Sequence, residues 1–282
     1  MLLLDKERVV LSVYGVDAAA FLQNILTNDV YKASCDNAVY AFQLSNTGKI
    51  LYDSFVYKEG EESIKMDVSK EQVQEIKDVI KKYVLRSKVE IKEEESVVII
   101  GKEKVKLNDK YECIGQDNKV RRCVVTQYSE DPRGKGLGFR GIGLLIEDKE
   151  IEKKEEKFEL YYKNYCRILF KSCIPSFGNG FHSNEFCPHE IGFADIGVSY
   201  GKGCFIGQEV TTRVKFLGKS NKKILLLDNY PLEFFNNFER LHIYYKEQLV
   251  GVVLEKCDDT LMCLFYRDDH YVTNELKICK LL

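Results

Sequence analysis

Lys202-Gly203-Cys204-Phe205-Ile206-Gly207-Gln208-Glu209-Val210-Thr211-Thr212-Arg213 is the stretch around which the rest of the chain is read. It sets a cysteine beside a lysine and between two glycines, then runs into Gln-Glu and an arginine. Gly203 and Gly207 allow the backbone to approach a ligand closely. Lys202 favours the thiolate of Cys204, the form that attacks electrophiles and ligates metals. A helix opening over Gly207–Arg213 would add the push of its amide end. Residue chemistry alone leaves two readings: a reactive thiol, or a glycine-bounded turn carrying one part-buried cysteine.

The 282 residues suffice for one large domain or two to three smaller ones. Lys and Arg number 42 against 44 Asp and Glu, a formal charge of −2. That balance argues against bulk electrostatic grip on nucleic acid or membrane. The opening Met1-Leu-Leu-Leu-Asp5-Lys-Glu-Arg8 turns charged too soon for a secretory signal, and apolar runs such as Ile224–Leu227 are too short to span a bilayer. Ten cysteines occur without one Cys-x-x-Cys pair. They are expected to be reduced, in a cytoplasmic protein.

Working outward, Arg8–Tyr14 reads as a strand and Ala18–Leu26 as a helix behind Asp17. Val39–Leu44 and Ile50–Tyr57 flank the turn Asn46-Thr47-Gly48 as a hairpin. Ile64, Met66 and Val68 alternate as a strand, and Ser69 with Gln72 has the capping-box spacing. Val73, Ile76, Val79, Ile80 and Tyr83 recur at helical spacing before a strand at Val89–Ile91. Residues 1–95 thus form an α+β module. Residues 96–218 form a second, with strands at Val97–Ile100, Tyr111–Ile114 and Val120–Tyr128. Gly136-x-Gly138-x-x-Gly141 matches a dinucleotide fingerprint by letter, but it leads into the strand-like Ile142–Ile146 rather than a helix. Glu147–Lys157 is a linker or a solvated helix start, Phe158–Phe170 a helix, and Ser176–Cys187 a long loop. Cys187 and His189 lack a second close ligand pair, which disfavours zinc. In residues 219–282, strands at Lys223–Leu227, Leu241–Tyr245, Leu249–Glu255, Leu261–Tyr266 and Leu276–Leu282 predict a small antiparallel β-barrel.

Lys202-Gly203-Cys204-Phe205-Ile206-Gly207-Gln208-Glu209 resembles the signature of the YgfZ family, folate-binding proteins of iron–sulfur cluster assembly and repair. Gly15-x-Asp17-x-x-x-Phe21-Leu22-Gln23-x-x-x-Thr27-Asn28-Asp29-Val30 is similar to that family's first helix. Tyr83-x-Leu85-Arg86-x-Lys88-Val89 resembles its helix-to-strand step, and Pro188-His189-Glu190 the element upstream of the cysteine. The chain departs from the pattern at Cys173, where a Gly is usual, and at Leu169, where an Arg is expected while Arg167 sits two residues off. Gly192-Phe193-Ala194-Asp195 replaces Asn-Leu-Asp. The resemblance implies the α+β, three-module fold of the aminomethyltransferase T-protein of glycine cleavage, with tetrahydrofolate in a central channel. It also implies iron–sulfur client or carrier proteins as partners, tRNA-modifying enzymes among the clients.

On this basis Cys204 is the expected reactive centre and transient cluster ligand, activated by Lys202. Arg8 and Arg213 are candidates for positioning folate through its acidic tail. Gln208 and Glu209 are candidates for the pteridine edge, with close approach at Gly207. The alternative is a folate-dependent aminomethyltransferase or demethylase using Asp53, the one carboxylate left in Gly48-Lys49-Ile50-Leu51-Tyr52-Asp53. A scaffold without thiol chemistry is the third class.

Overall fold

A computed structural model describes residues 2–151, 157–178, 180–218, 222–228, 241–266 and 276–279. The alternating apolar runs of the first hundred residues become a five-stranded sheet of order β3-β4-β5-β2-β6. Its strands are β2 (Arg8–Tyr14), β3 (Val39–Leu44), β4 (Ile50–Lys58), β5 (Ser63–Ser69) and β6 (Glu90–Glu93). Successive side chains point to opposite faces, and here both faces are buried. Val39, Ala41, Tyr52 and Val56 pack with Phe21, Leu22 and Ile25 of α1 (Ala18–Ile25) and Ile76 and Ile80 of α2 (Val73–Val84). Tyr40, Phe42, Phe55 and Tyr57 face the other way, into the core shared with the rest of the chain. The hairpin turn forms as expected, with Gly48 at φ +78°. The capping box does not: Ser69 makes no side-chain cap bond, and Gln72 donates to the Leu51 carbonyl at 2.8 Å instead.

The middle of the chain closes a barrel of order β1-β7-β10-β9-β8. Its strands are β1 (Leu2–Asp5), β7 (Val97–Gly101), β8 (Lys110–Ile114), β9 (Val120–Glu130) and β10 (Phe139–Ile151). Closure depends on β1, antiparallel to β7 and parallel to β8. The glycine stretch enters β10, and a Cβ on Gly141 would lie 2.0 Å from the Gln127 carbonyl oxygen and one on Gly138 2.6 Å from that of Gly101. Gly138 and Gly141 serve close backbone packing, and the stretch leads into a strand rather than a phosphate-binding helix. β10 also absorbs the start of the charged run expected as a linker or helix start, which continues into residues 152–156, outside the described residues.

Closure was expected at the C-terminus; the closed barrel among the described residues lies in the middle of the chain. Among the described residues, β11 (Lys223–Leu227), β12 (His242–Tyr245), β13 (Gln248–Cys257), β14 (Thr260–Phe265) and β15 (Leu276–Cys279) form a sheet of order β11-β14-β13-β12-β15. β11 and β15 are its opposite edges, and residues 280–282 of the expected last strand lie outside the described residues. α3 (Lys157–Lys171) touches β1 and β13, burying Phe158, Leu169 and Phe170 between barrel and C-terminal sheet. It ends at Cys173 in the left-handed region (φ +54°), the conformation glycine takes most easily. Leu169 is a core residue, while the displaced Arg167 pairs with Asp258 at 2.8 Å on the surface.

Candidate functional site

The Lys-Gly-Cys segment is a loop between α4 (Ala194–Gly197) and α5 (Gln208–Leu217), fixed on both sides of the cysteine. The Lys202 ammonium donates to the carbonyls of Gln23, Leu26 (2.6 Å) and Asn28 (2.9 Å), at and just past the C-terminal end of α1. All three of its protons are thereby used. Burial pulls this lysine down to about 8, with the charge of Asp29 pulling the other way. The Lys202 donors thus go to a helix end, which the lysine caps, and none goes to Cys204. On the other side, Phe205 is buried in the central core and Ile206 packs against the α1 cluster. Between these anchors Cys204 is exposed.

Gly207 caps α5 at φ +78°, and a Cβ there would lie 2.7 Å from the Ser45 carbonyl oxygen. Its glycine is needed for packing on the β3–β4 turn rather than for a ligand. α5 opens three residues after Cys204, and the field of a helix end fades within a turn. Gln208 and Glu209 start the helix, and Arg213 follows one turn on. Glu209 and Arg213 are exposed and make no hydrogen bond or ion pair among the described residues.

Arg8 and Asp53 come together, but with each other. Arg8 Nη1 lies 3.0 Å from Asp53 Oδ1, its Nε is bonded to Asp67, and its Nη2 donates to the Asp67 carbonyl. The second Asp53 oxygen accepts from the Tyr40 hydroxyl at 2.9 Å, and the residue is 2% exposed. The network extends through Arg140, which bonds Asp67, Asp5 and the Tyr165 hydroxyl, and through Arg133, which holds Asp131 by two bonds and also reaches Tyr165. The three guanidiniums lie 4.4–5.1 Å from the Phe55 ring centre. Burial opposes the charge on Arg8, but Asp53 and Asp67 hold it above the ordinary arginine value. Burial likewise opposes ionisation of Asp131, and Arg133 overrides it, leaving that carboxyl below the usual range. Sequence reading missed Arg133, Arg140, Asp67 and Asp131. Their one local signal, Asp131-Pro132-Arg133, reads only as a turn.

An open cleft of about 470 Å³ borders this network. Arg133, Lys135, Lys222 and Lys223 line it with cations, and Leu137, Ile174, Phe193 and Ile224 supply apolar walls. Lys135 is exposed and has no polar partner among the described residues. Glu190, also on the lining, accepts from Lys222 (2.7 Å), Lys49 (3.1 Å) and the Cys187 amide (2.8 Å). Burial would raise its carboxyl, but these donors hold it below the ordinary value. Apolar walls set among cations are the composition that a flat ring system bearing an acidic tail would require. None of Arg8, Asp53, Gly207, Gln208, Glu209 and Arg213 lines the cleft. The six expected contacts thus split between a buried network and the surface of α5.

Nine of the ten cysteines have described side chains, and these nine are free. Among the described residues, no three His, Cys, Asp or Glu side chains are grouped to hold a metal ion, and no helix is long and apolar enough to cross a membrane.

No family model matches the chain. It is 26% identical over 254 residues to "Iron-sulfur cluster assembly factor IBA57 homolog, mitochondrial" of Dictyostelium discoideum, covering 78% of this chain and 60% of that protein. The protein of the same name from Neurospora crassa is 25% identical, over 77% of this chain and 51% of its own. An aminomethyltransferase of Thermoanaerobacter sp. is 26% identical, over 75% and 62%. The chain spans about half to three fifths of the length of these relatives. Among solved structures, the glycine cleavage system aminomethyltransferase T of Bartonella henselae superposes with a TM-score of 0.61 at 13% identity, covering 94% of this chain and 78% of that one. In sequence the chain is similar to iron–sulfur cluster assembly factors and to an aminomethyltransferase, and its α+β fold, with a closed five-stranded barrel, is that of aminomethyltransferase T.

Proposed function

We propose that the protein is an accessory factor of iron–sulfur cluster assembly or repair of the YgfZ kind. Cys204 is its reactive centre, and tetrahydrofolate, or a one-carbon derivative of it, is its ligand in the cleft beside Arg133. The reading rests on the exposed Cys204 thiol, held on a loop anchored by Lys202 on one side and Phe205 on the other. A thiol so presented can ligate a cluster in passage between proteins without rearrangement of the fold. The assembly-factor names of the relatives support the same direction. Carrier and client proteins are then the partners, tRNA-modifying enzymes among the clients, in a compartment that keeps thiols reduced. In the cleft, exposed Lys135 faces the acidic tail while Leu137 and Phe193 flank the ring; the pterin, when bound, supplies one-carbon or reducing chemistry.

In cells lacking the factor, wild-type protein should restore cluster-enzyme activity and Cys204→Ala should not; full rescue by the alanine variant would remove the thiol from the mechanism. Anaerobic calorimetry with tetrahydrofolate should give binding that Lys135→Glu weakens several-fold, and no heat with wild type would end the folate assignment. The resemblance to aminomethyltransferases keeps a second reading open to assay, formation of methylenetetrahydrofolate from a methylamine donor. It is the weaker one, because both oxygens of Asp53 are engaged.

A further inference from the structure

The step after α2 carries part of the family resemblance, yet neither the cleft nor the buried network uses it. α2 ends at Val84, and Leu85 then stands at φ +36° while 87% exposed. A branched apolar side chain is poorly suited to that backbone, and here it is presented to solvent rather than packed. Bonds from the Ser87 amide to the Val84 carbonyl (2.7 Å) and from the Lys88 amide to Asp17 Oδ2 (2.8 Å) fix the step against the start of α1. Between them runs an open groove of about 480 Å³, whose lining includes Ala20, Phe21 and Ile25 of α1, Tyr83 and Arg86 of the step, and Ile206 of the thiol loop.

Three features give the groove a direction. Arg86 is exposed and makes no hydrogen bond or ion pair among the described residues, and exposed Lys82 and Lys88 lie close to it in the chain. The one acidic group on the lining, Asp17, already accepts from the Lys88 amide. Ile206 is two residues from Cys204, so the Cα atoms of the two residues lie within about 7 Å of each other. Finally, a Cβ at Gly201 or Gly203 would meet nothing within 4 Å, so the chain's own packing does not explain glycine on either side of Lys202. Glycine there does leave room for another backbone to approach the thiol.

We propose that this groove docks an acidic segment of the iron–sulfur carrier protein that exchanges its cluster at Cys204. An apolar side chain of that segment enters between Phe21 and Tyr83, and a neighbouring carboxylate pairs with Arg86. This rests on the iron–sulfur reading above and adds to it where the partner binds. An apolar floor with an arginine on its rim is the composition that concentrates binding energy in protein interfaces, and the exposed Arg86, with Asp17 already bonded to the Lys88 amide, favours a carboxylate on the partner.

The test is an anaerobic binding titration of the protein with the holo [2Fe–2S] carrier purified from the same organism. Arg86→Glu, and Ala20→Trp as an independent surface substitution that fills the groove, should each weaken binding about tenfold or more. Unchanged affinity in both groove variants, with wild type binding normally, overturns the docking site and leaves the iron–sulfur reading standing. Failure of wild type to bind any holo carrier overturns both. Light scattering that shows a wild-type dimer abolished by Ala20→Trp would also overturn the proposal, since a second copy of the chain would then cover the groove.

Discussion

Around Phe55, three arginines and four aspartates are buried and satisfy one another; around Cys204, the thiol, Glu209 and Arg213 are exposed and have no polar partner among the described residues. The first region has the residue types from which ligand sites are often inferred, but their valences are filled internally. Buried charge persists only when paired, and each removed partner leaves another charge stranded in low dielectric. The second region lacks convergent charges, and its reactive atom faces out. In this molecule, density of charge marks where β1, β2, β4, β5, β10 and α3 are joined, and scarcity of partners marks where chemistry is open.

The sharpest way to break this comparison is in the network. Arg140→Ala strands Asp5 and leaves Asp67 with Arg8 alone, and should cost about 3–5 kcal/mol in denaturant unfolding. A loss below about 1 kcal/mol would mean that the buried pairs do not join the layers. Lys202→Met comes next, at about 2 kcal/mol, because it orphans three carbonyls at the end of α1. If Lys202 activated the thiol instead, the variant would keep its stability and slow Cys204 alkylation. Glu190→Gln should cost about 1–3 kcal/mol near neutral pH. The folded-state value of Glu190 is depressed, so its contribution is present above the unfolded carboxyl value, about 4.3, and disappears as pH falls through the folded one. The stability gap between wild type and variant should therefore close in acid, and a gap unchanged at pH 3 would deny the pairing with Lys49 and Lys222. The smallest effect has the opposite sign. Cys173→Gly should stabilise by about 1 kcal/mol, read as a raised midpoint, by relieving a left-handed cysteine.

Much of the local structure was legible because it depends on neighbours in sequence. The spacing of Phe21, Leu22 and Ile25 defined α1, and Asn46-Thr47-Gly48 defined the hairpin. The barrel in the middle of the chain was not foreseen because strand spacing is silent about which strands pair. Its closing contact joins Leu3 to Ile114, and nothing near either residue announces the other. The candidate site divides the same way. Cys204 was found from its immediate context, and Arg8 and Asp53 were singled out by identity but assigned to a ligand rather than to each other. The capping role of Lys202 was not foreseen because its acceptors lie 174–179 residues away along the chain. A lysine beside a cysteine reads as an activator until those carbonyls are seen.

The same closure has a consequence for how the chain folds. β1 is synthesised well before both of its partners, since Leu3 pairs with Ile100 on one side and Ile114 on the other. Until those strands emerge, Leu2, Leu3 and Leu4 form an apolar segment with two unpaired edges, while the neighbouring β2 can already pair with β5. Distant pairing of this sort slows folding. The barrel is therefore expected to be the late step, and a chaperone that shields the segment around β1 should speed refolding more than one acting on the β3–β4 hairpin.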